Sequence, residues 1–145
     1  MFELCVASMN KVCEAIEAGH DLPCSPDEYV KFPDPISPSQ IIQLGEAVTS
    51  LTGVSAEFGL EDNREEPIGC VFVDRLDAAW VSAASLLEPS TAKEIGIRWV
   101  AACTDAEREK PPWAEWDKAD VVGRFLNLCK MSVATNTDLV MVWEL

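Results

Sequence analysis

Apolar and polar residues alternate at the start of Phe2-Glu3-Leu4-Cys5-Val6-Ala7-Ser8, which predicts a short strand at one end of the chain. Val12, Cys13 and Ile16 then recur at helical spacing, with Asn10 as the predicted cap and Gly19 as the stop. From His20 to Ile36 the period is lost. Pro23, Pro26, Pro33 and Pro35 predict an ordered coil there, with one short turn at Ser25-Pro26-Asp27-Glu28. Ser37-Pro38-Ser39-Gln40 has the residues of a capping box with proline at the first helical position. The stripe Ile41, Leu44, Val48, Leu51 and the stop at Gly53 complete that helix.

Val54 to Leu60 reads as a strand and Glu61 to Pro67 as a charged turn. The run Ile68-Gly69-Cys70-Val71-Phe72-Val73 is too short for period to separate a buried strand from the start of a helix. Asp74 is a candidate cap for a helix burying Leu76, Ala79, Trp80, Ala83, Ala84 and Leu87. After Pro89, Ser90 and Thr91 recap a helix whose inner face is Ile95, Trp99, Ala102 and Cys103. Thr104 to Trp116 is a polar loop. A last helix follows Asp117 and buries Val121, Val122, Phe125, Leu128 and Cys129. Leu139-Val140-Met141-Val142-Trp143 is the strongest strand signal in the chain. The expected fold is α+β, a single domain over residues 1–145 with about five helices packed on a small sheet that pairs the N-terminal and C-terminal strands.

Composition agrees with a packed domain. Of 145 residues, 48% are apolar and 25% charged, enough apolar material for a core. The first residues lack the basic and apolar regions of a signal peptide, and no run approaches the roughly 18 apolar residues that span a bilayer. A cytoplasmic compartment is expected, so the six cysteines are read as reduced thiols rather than three disulfides.

Charge narrows the function. There are 25 acidic residues against 11 basic, a net charge of −14. That excludes direct, phosphate-driven binding of nucleic acid and disfavours an anionic membrane surface. Residues 1–66 hold 13 acids and 3 bases, net −10; residues 67–145 hold 12 and 8, net −4. The excess gathers in two non-helical stretches: Asp21, Asp27, Glu28 and Asp34, and then Glu57, Glu61, Asp62, Glu65 and Glu66. Together with Tyr29 as an aromatic anchor, and Phe32 beside it, these stretches are the candidate partner-binding residues. If they meet in space, their field would steer a basic protein.

Chemical motifs are sparse. Neither phosphate-binding glycine signature occurs. The lone histidine, His20, is four residues from Cys24, but no third group completes a nucleophilic arrangement or a zinc set. Glu61-Asp62-Asn63 lacks the order of a calcium loop. No catalytic residue, metal or cofactor is therefore expected. Glu14 and Glu17, and the loop acids Asp105, Glu107 and Glu109, read as solvated surface. Trp80, Trp99 and Trp143 read as core. Trp113 and Trp116 read as a staple against the last helix or, alternatively, as a ligand platform.

The layout of a short strand, an acidic helix, a proline-rich coil, I-S-P-S-Q-I-I-Q-L, R-W-V-A-A and a terminal L-V-M-V-W-E-L is similar to that of small acidic bacterial proteins of unknown function. Some of these are immunity partners of toxins. The resemblance implies a non-enzymatic inhibitor that binds a basic partner, and it assigns no functional residue. The alternatives are a small-ligand-binding protein or enzyme with a pocket of tryptophan and carboxylate, and a structural oligomeric subunit whose acidity confers solubility.

Overall fold

The computed structural model describes residues 1–32, 36–53, 60–62, 67–104 and 117–144. Five strands form one antiparallel sheet: β1 Phe2–Val6, β2 Tyr29–Phe32, β3 Leu60–Asp62, β4 Val71–Leu76 and β5 Leu139–Glu144. Their order is β2-β1-β5-β4-β3, so the strands from the two ends of the chain pair near the centre. Strand period puts alternate residues on opposite faces. Phe2, Leu4, Val6, Val30, Phe32, Leu76, Leu139 and Met141 line one face; Cys5, Val73, Val140 and Val142 line the other.

Among the described residues, five helices cover the faces unequally. The first face carries α2 Pro38–Thr52, α3 Ala78–Ser85, α4 Ala92–Ala102 and α5 Lys118–Thr135. Among the described residues, the second carries α1 Met9–Glu17 alone, through Met9, Val12 and Cys13. No helix among the described residues is long and apolar enough to cross a membrane.

Local chemistry explains where the helices start. Ser37 Oγ accepts from the Gln40 N–H at 3.3 Å, and Gln40 Oε1 accepts from the Ser37 N–H at 2.8 Å, a complete capping box. Gly53 ends α2 at φ 66°, where a side chain would be strained. Gly96 lets α4 approach the start of α5, since a Cβ there would lie 3.3 Å from Lys118 Cβ. Two large indoles fill the main core. Trp80 donates to Thr49 Oγ1 at 2.8 Å, and Trp99 donates to the Gln40 carbonyl at 2.7 Å.

Four expectations are corrected. The cap of α1 is Ser8, whose hydroxyl accepts from Lys11 N–H, and Asn10 lies inside the helix. Tyr29–Phe32 is edge strand β2, not coil; its Val30 and Phe32 face the core while Lys31 faces out. Asp74 is not a helix cap. It lies within β4, buried, and accepts from Trp143 Nε1 at 2.6 Å; the cap of α3 is Asp77, three residues on. Ala79 and Ala102, read as buried, are exposed. The indole of Trp143 is half-buried between Phe2 at 5.7 Å and Phe72 at 4.2 Å, a stack running across β1, β5 and β4.

Candidate functional site

Among the described residues, α1 leaves part of its face of the sheet uncapped. A cleft of about 620 Å³ opens there. Val71 and Val142 form its floor, Ile16 and Leu22 its apolar wall, and Glu3, His20, Asp21, Cys24 and Tyr29 bring polar groups. The segment after α1 folds back through a tight turn, Cys24 N–H donating to the Leu22 carbonyl at 2.8 Å, and the short helical turn Pro26–Glu28 then delivers it into β2.

Glu3 organises the polar side. It accepts from the Tyr29 hydroxyl at 2.7 Å and lies 3.6 Å from Lys31 Nζ. Burial pushes the Tyr29 phenol well above its ordinary range, and the adjacent Glu3 carboxylate adds to the shift, since ionisation would put two negative charges side by side. Cys5 and Cys24 are also pushed up, first by burial. Glu3 and Glu28 add negative charge next to both thiols. A nucleophilic cysteine needs a neighbouring cation or helix N-terminus to hold the thiolate. This environment does the reverse, so its chemistry favours recognition over nucleophilic attack. His20 and Cys24 line the same cleft. Among the described residues, no cluster of three or more His, Cys, Asp or Glu side chains could hold a metal ion.

These protonated groups make the fold sensitive to alkali. Cys5, Cys24, Tyr29 and Cys129 all have raised values in the folded state, Cys129 to about 12. The unfolded chain therefore loses these protons first. Stability is fully present below the ordinary thiol range and is lost as pH rises through it toward the folded values. The two buried thiols, Cys5 and Cys129, should each steepen the loss by about 1.4 kcal/mol per pH unit. Urea midpoints measured from neutral to strongly alkaline pH should fall in that window. A flat profile would contradict the buried, protonated thiols.

The candidate partner-binding residues separate into two groups. Asp21 is exposed and lines the cleft, whereas Asp27, also exposed, lines a separate pocket with Lys93, Asp120 and Arg124 of α4 and α5. Glu28 is half-buried, and its carboxylate accepts from the Ser25 N–H at 3.0 Å, so part of its role is to hold the turn. Tyr29 is half-buried with its hydroxyl committed to Glu3, which makes it a wall of the cleft. Phe32 is no anchor. It is fully buried and meets the Trp99 ring edge-on at 6.5 Å. Glu61 and Asp62, expected in a charged turn, instead lie in β3, at the opposite edge of the sheet. The register runs Tyr29, Cys5, Val140, Arg75, Glu61 straight across the five strands. Four strand spacings set the two acidic edges about 19 Å apart. Asp34, Glu57, Glu65, Glu66, Asp105, Glu107, Glu109, Trp113 and Trp116 lie outside the described residues.

Sequence reasoning passed over the polarity of the whole molecule. Glu14 and Glu17, exposed on α1, join Asp21 on the cleft side. The opposite layer is basic by comparison. Helices α4 and α5 carry Lys93, Arg98, Lys118, Arg124 and Lys130 against Glu94 and Asp120. Two of those bases are tied within their own helix, Arg98 to Glu94 at 2.8 Å and Arg124 to Asp120 at 4.0 Å. The uneven charge of the two chain halves was the available signal, but assigning it to opposite faces of a sheet required the topology.

Family models, curated proteins and solved structures give no match. The functional reading therefore stands on the cleft and on the charge arrangement around it.

Proposed function

We propose that this chain is a non-enzymatic binding protein that docks a basic protein partner on the α1 side of its sheet, as an immunity-type inhibitor covers the cationic working surface of a toxin. The observation that carries this reading is charge polarity. Exposed Glu14, Glu17 and Asp21 lie on the α1 side, while five bases lie on the α4–α5 layer behind the sheet. Such an arrangement orients an approaching cationic surface as well as attracting it, which raises the rate of productive encounter. Inhibition follows from coverage: a basic surface that binds nucleic acid would be occupied by carboxylates. The expected compartment is the cytoplasm.

The cleft favours a second reading, a small-ligand binder, because its volume lies within the range of ligand sites. One experiment separates the two. The purified chain is mixed at low salt with the product of its neighbouring gene and run on gel filtration. A stoichiometric complex that weakens as salt rises supports the inhibitor. Failure to form any complex at low salt overturns it and leaves the cleft as the functional feature.

A further inference from the structure

We propose that the cleft is an anchor site for one long cationic side chain, a lysine or an arginine, presented by the basic partner. The inference rests on the docking reading above and names the group that enters the cleft.

The starting observation is a carboxylate set in an apolar sheet face. Glu3 stands in register with Lys31 on β2 and Val142 on β5, and Val142 in turn faces Val73 on β4. The Glu3 side chain is only 13% exposed. Burying a carboxylate costs free energy unless other groups pair it. Here the pairing falls on one oxygen. Oε1 accepts from the Tyr29 hydroxyl at 2.7 Å, and Lys31 Nζ, on an exposed side chain, stands 3.6 Å from that same oxygen. Oε2 has no hydrogen-bond partner among the described residues. No fully buried side-chain oxygen or nitrogen among them is left unsatisfied, so Oε2 is open to solvent, and Glu3 lines the cleft.

The rest of the cleft selects the chemistry of its occupant. Val71, Val142, Ile16 and Leu22 suit the aliphatic stem of lysine or arginine. Asp21 adds a second carboxylate to the lining, and Glu14 and Glu17 are exposed on the same side. The Met1 ammonium also lines the cleft and donates to the Glu144 carbonyl at 3.1 Å. An acidic side chain would meet Glu3 and Asp21 with like charge. A purely apolar one would displace water from Oε2 without replacing its hydrogen bond. A long cationic side chain does neither: its stem covers the valines and its head donates to Oε2. The exposed acids of the α1 side then steer the partner in, and the contact with Glu3 holds it, so the two act on different rate constants.

The test has two arms. In the first, the full chain, isotope-labelled, is titrated by NMR with N-acetyl-arginine amide, N-acetyl-lysine amide and, as an uncharged control, N-acetyl-norleucine amide. The two cations should shift the methyl resonances of Ile16, Val71 and Val142 saturably, and the control should not. Glu3→Gln keeps an acceptor for Tyr29 and removes the charge; it should abolish those shifts. Leu22→Trp fills the apolar wall at unchanged net charge and should do the same. Far-UV circular dichroism checks folding; if Glu3→Gln does not fold, the wild-type titration and Leu22→Trp decide. In the second arm, the complex with the product of the neighbouring gene should dissociate on the order of tenfold faster in Glu3→Gln, with association unchanged within about twofold. A complex that forms but dissociates from both variants at the wild-type rate overturns the anchor and leaves the docking reading standing. Equal shifts for the cations and norleucine overturn it as well. Cation-specific shifts without any complex do the opposite: they overturn the docking reading and leave the cleft as a site for a cationic group.

Discussion

Replacing Trp99 by alanine should cost about 3–5 kcal/mol, the range for deleting a large buried aromatic side chain. That is a large share of the roughly 5–15 kcal/mol by which a domain of ordinary stability stays folded. Three contacts put Trp99 at this end of the scale. It is fully buried, its indole N–H is bonded to the Gln40 carbonyl at 2.7 Å, and its ring meets Phe32 edge-on. Those partners belong to α2 and β2, so one side chain on α4 joins three elements. Trp99→Phe keeps most of the apolar volume and removes the donor. It should cost about 1–2 kcal/mol, the scale of a lost buried hydrogen bond. Ile97→Ala, two residues away but 61% exposed, should stay within about 0.5 kcal/mol. Urea denaturation followed by far-UV circular dichroism gives all three values. Near-equal costs for Trp99→Ala and Ile97→Ala would refute this core arrangement.

Features written in local chemistry were legible before the fold was known. Ser37-Pro38-Ser39-Gln40 and Gly53 bounded α2 because capping and left-handed stops act over a few residues. The pairing of the end strands was legible because Phe2–Val6 and Leu139–Trp143 each had an apolar face and no hairpin partner nearby. Where two local readings competed, the nearer signal misled. Asp74 and Asp77 both precede a helical stripe, and only sheet pairing shows that Asp74 belongs to a strand. Tyr29–Phe32 carried the alternation of a strand, but the flanking prolines suggested coil. The cleft and the separation of the acidic stretches to opposite edges were not legible. Each joins residues distant in sequence, through a strand order that composition does not encode.

Reversing charge at the cleft should slow association with a basic partner far more than an equal reversal elsewhere. Glu17→Lys with Asp21→Lys changes the net charge from −14 to −10, two units per substitution. Glu94→Lys with Asp120→Lys makes the same change on the α4–α5 layer, at the cost of the ion pairs to Arg98 and Arg124. Exposed pairs of this kind contribute only about 0–1 kcal/mol, so both variants should fold. At 0.1 M salt, screening confines the field to about 10 Å, and only charges close to the contact still act. Stopped-flow association at low salt should therefore show a drop on the order of tenfold for the cleft-side pair and a much smaller one for the other. Rising salt should bring the wild-type rate down toward that of the cleft-side variant. Equal slowing by both pairs would mean that total charge, and not its place, drives encounter; no slowing by either would remove electrostatic docking from the α1 side. Glu61→Lys with Asp62→Lys extends the comparison to the far edge, about 19 Å across four strand spacings. Slowing by that pair as well would mean that the partner spans the sheet and contacts both acidic edges together.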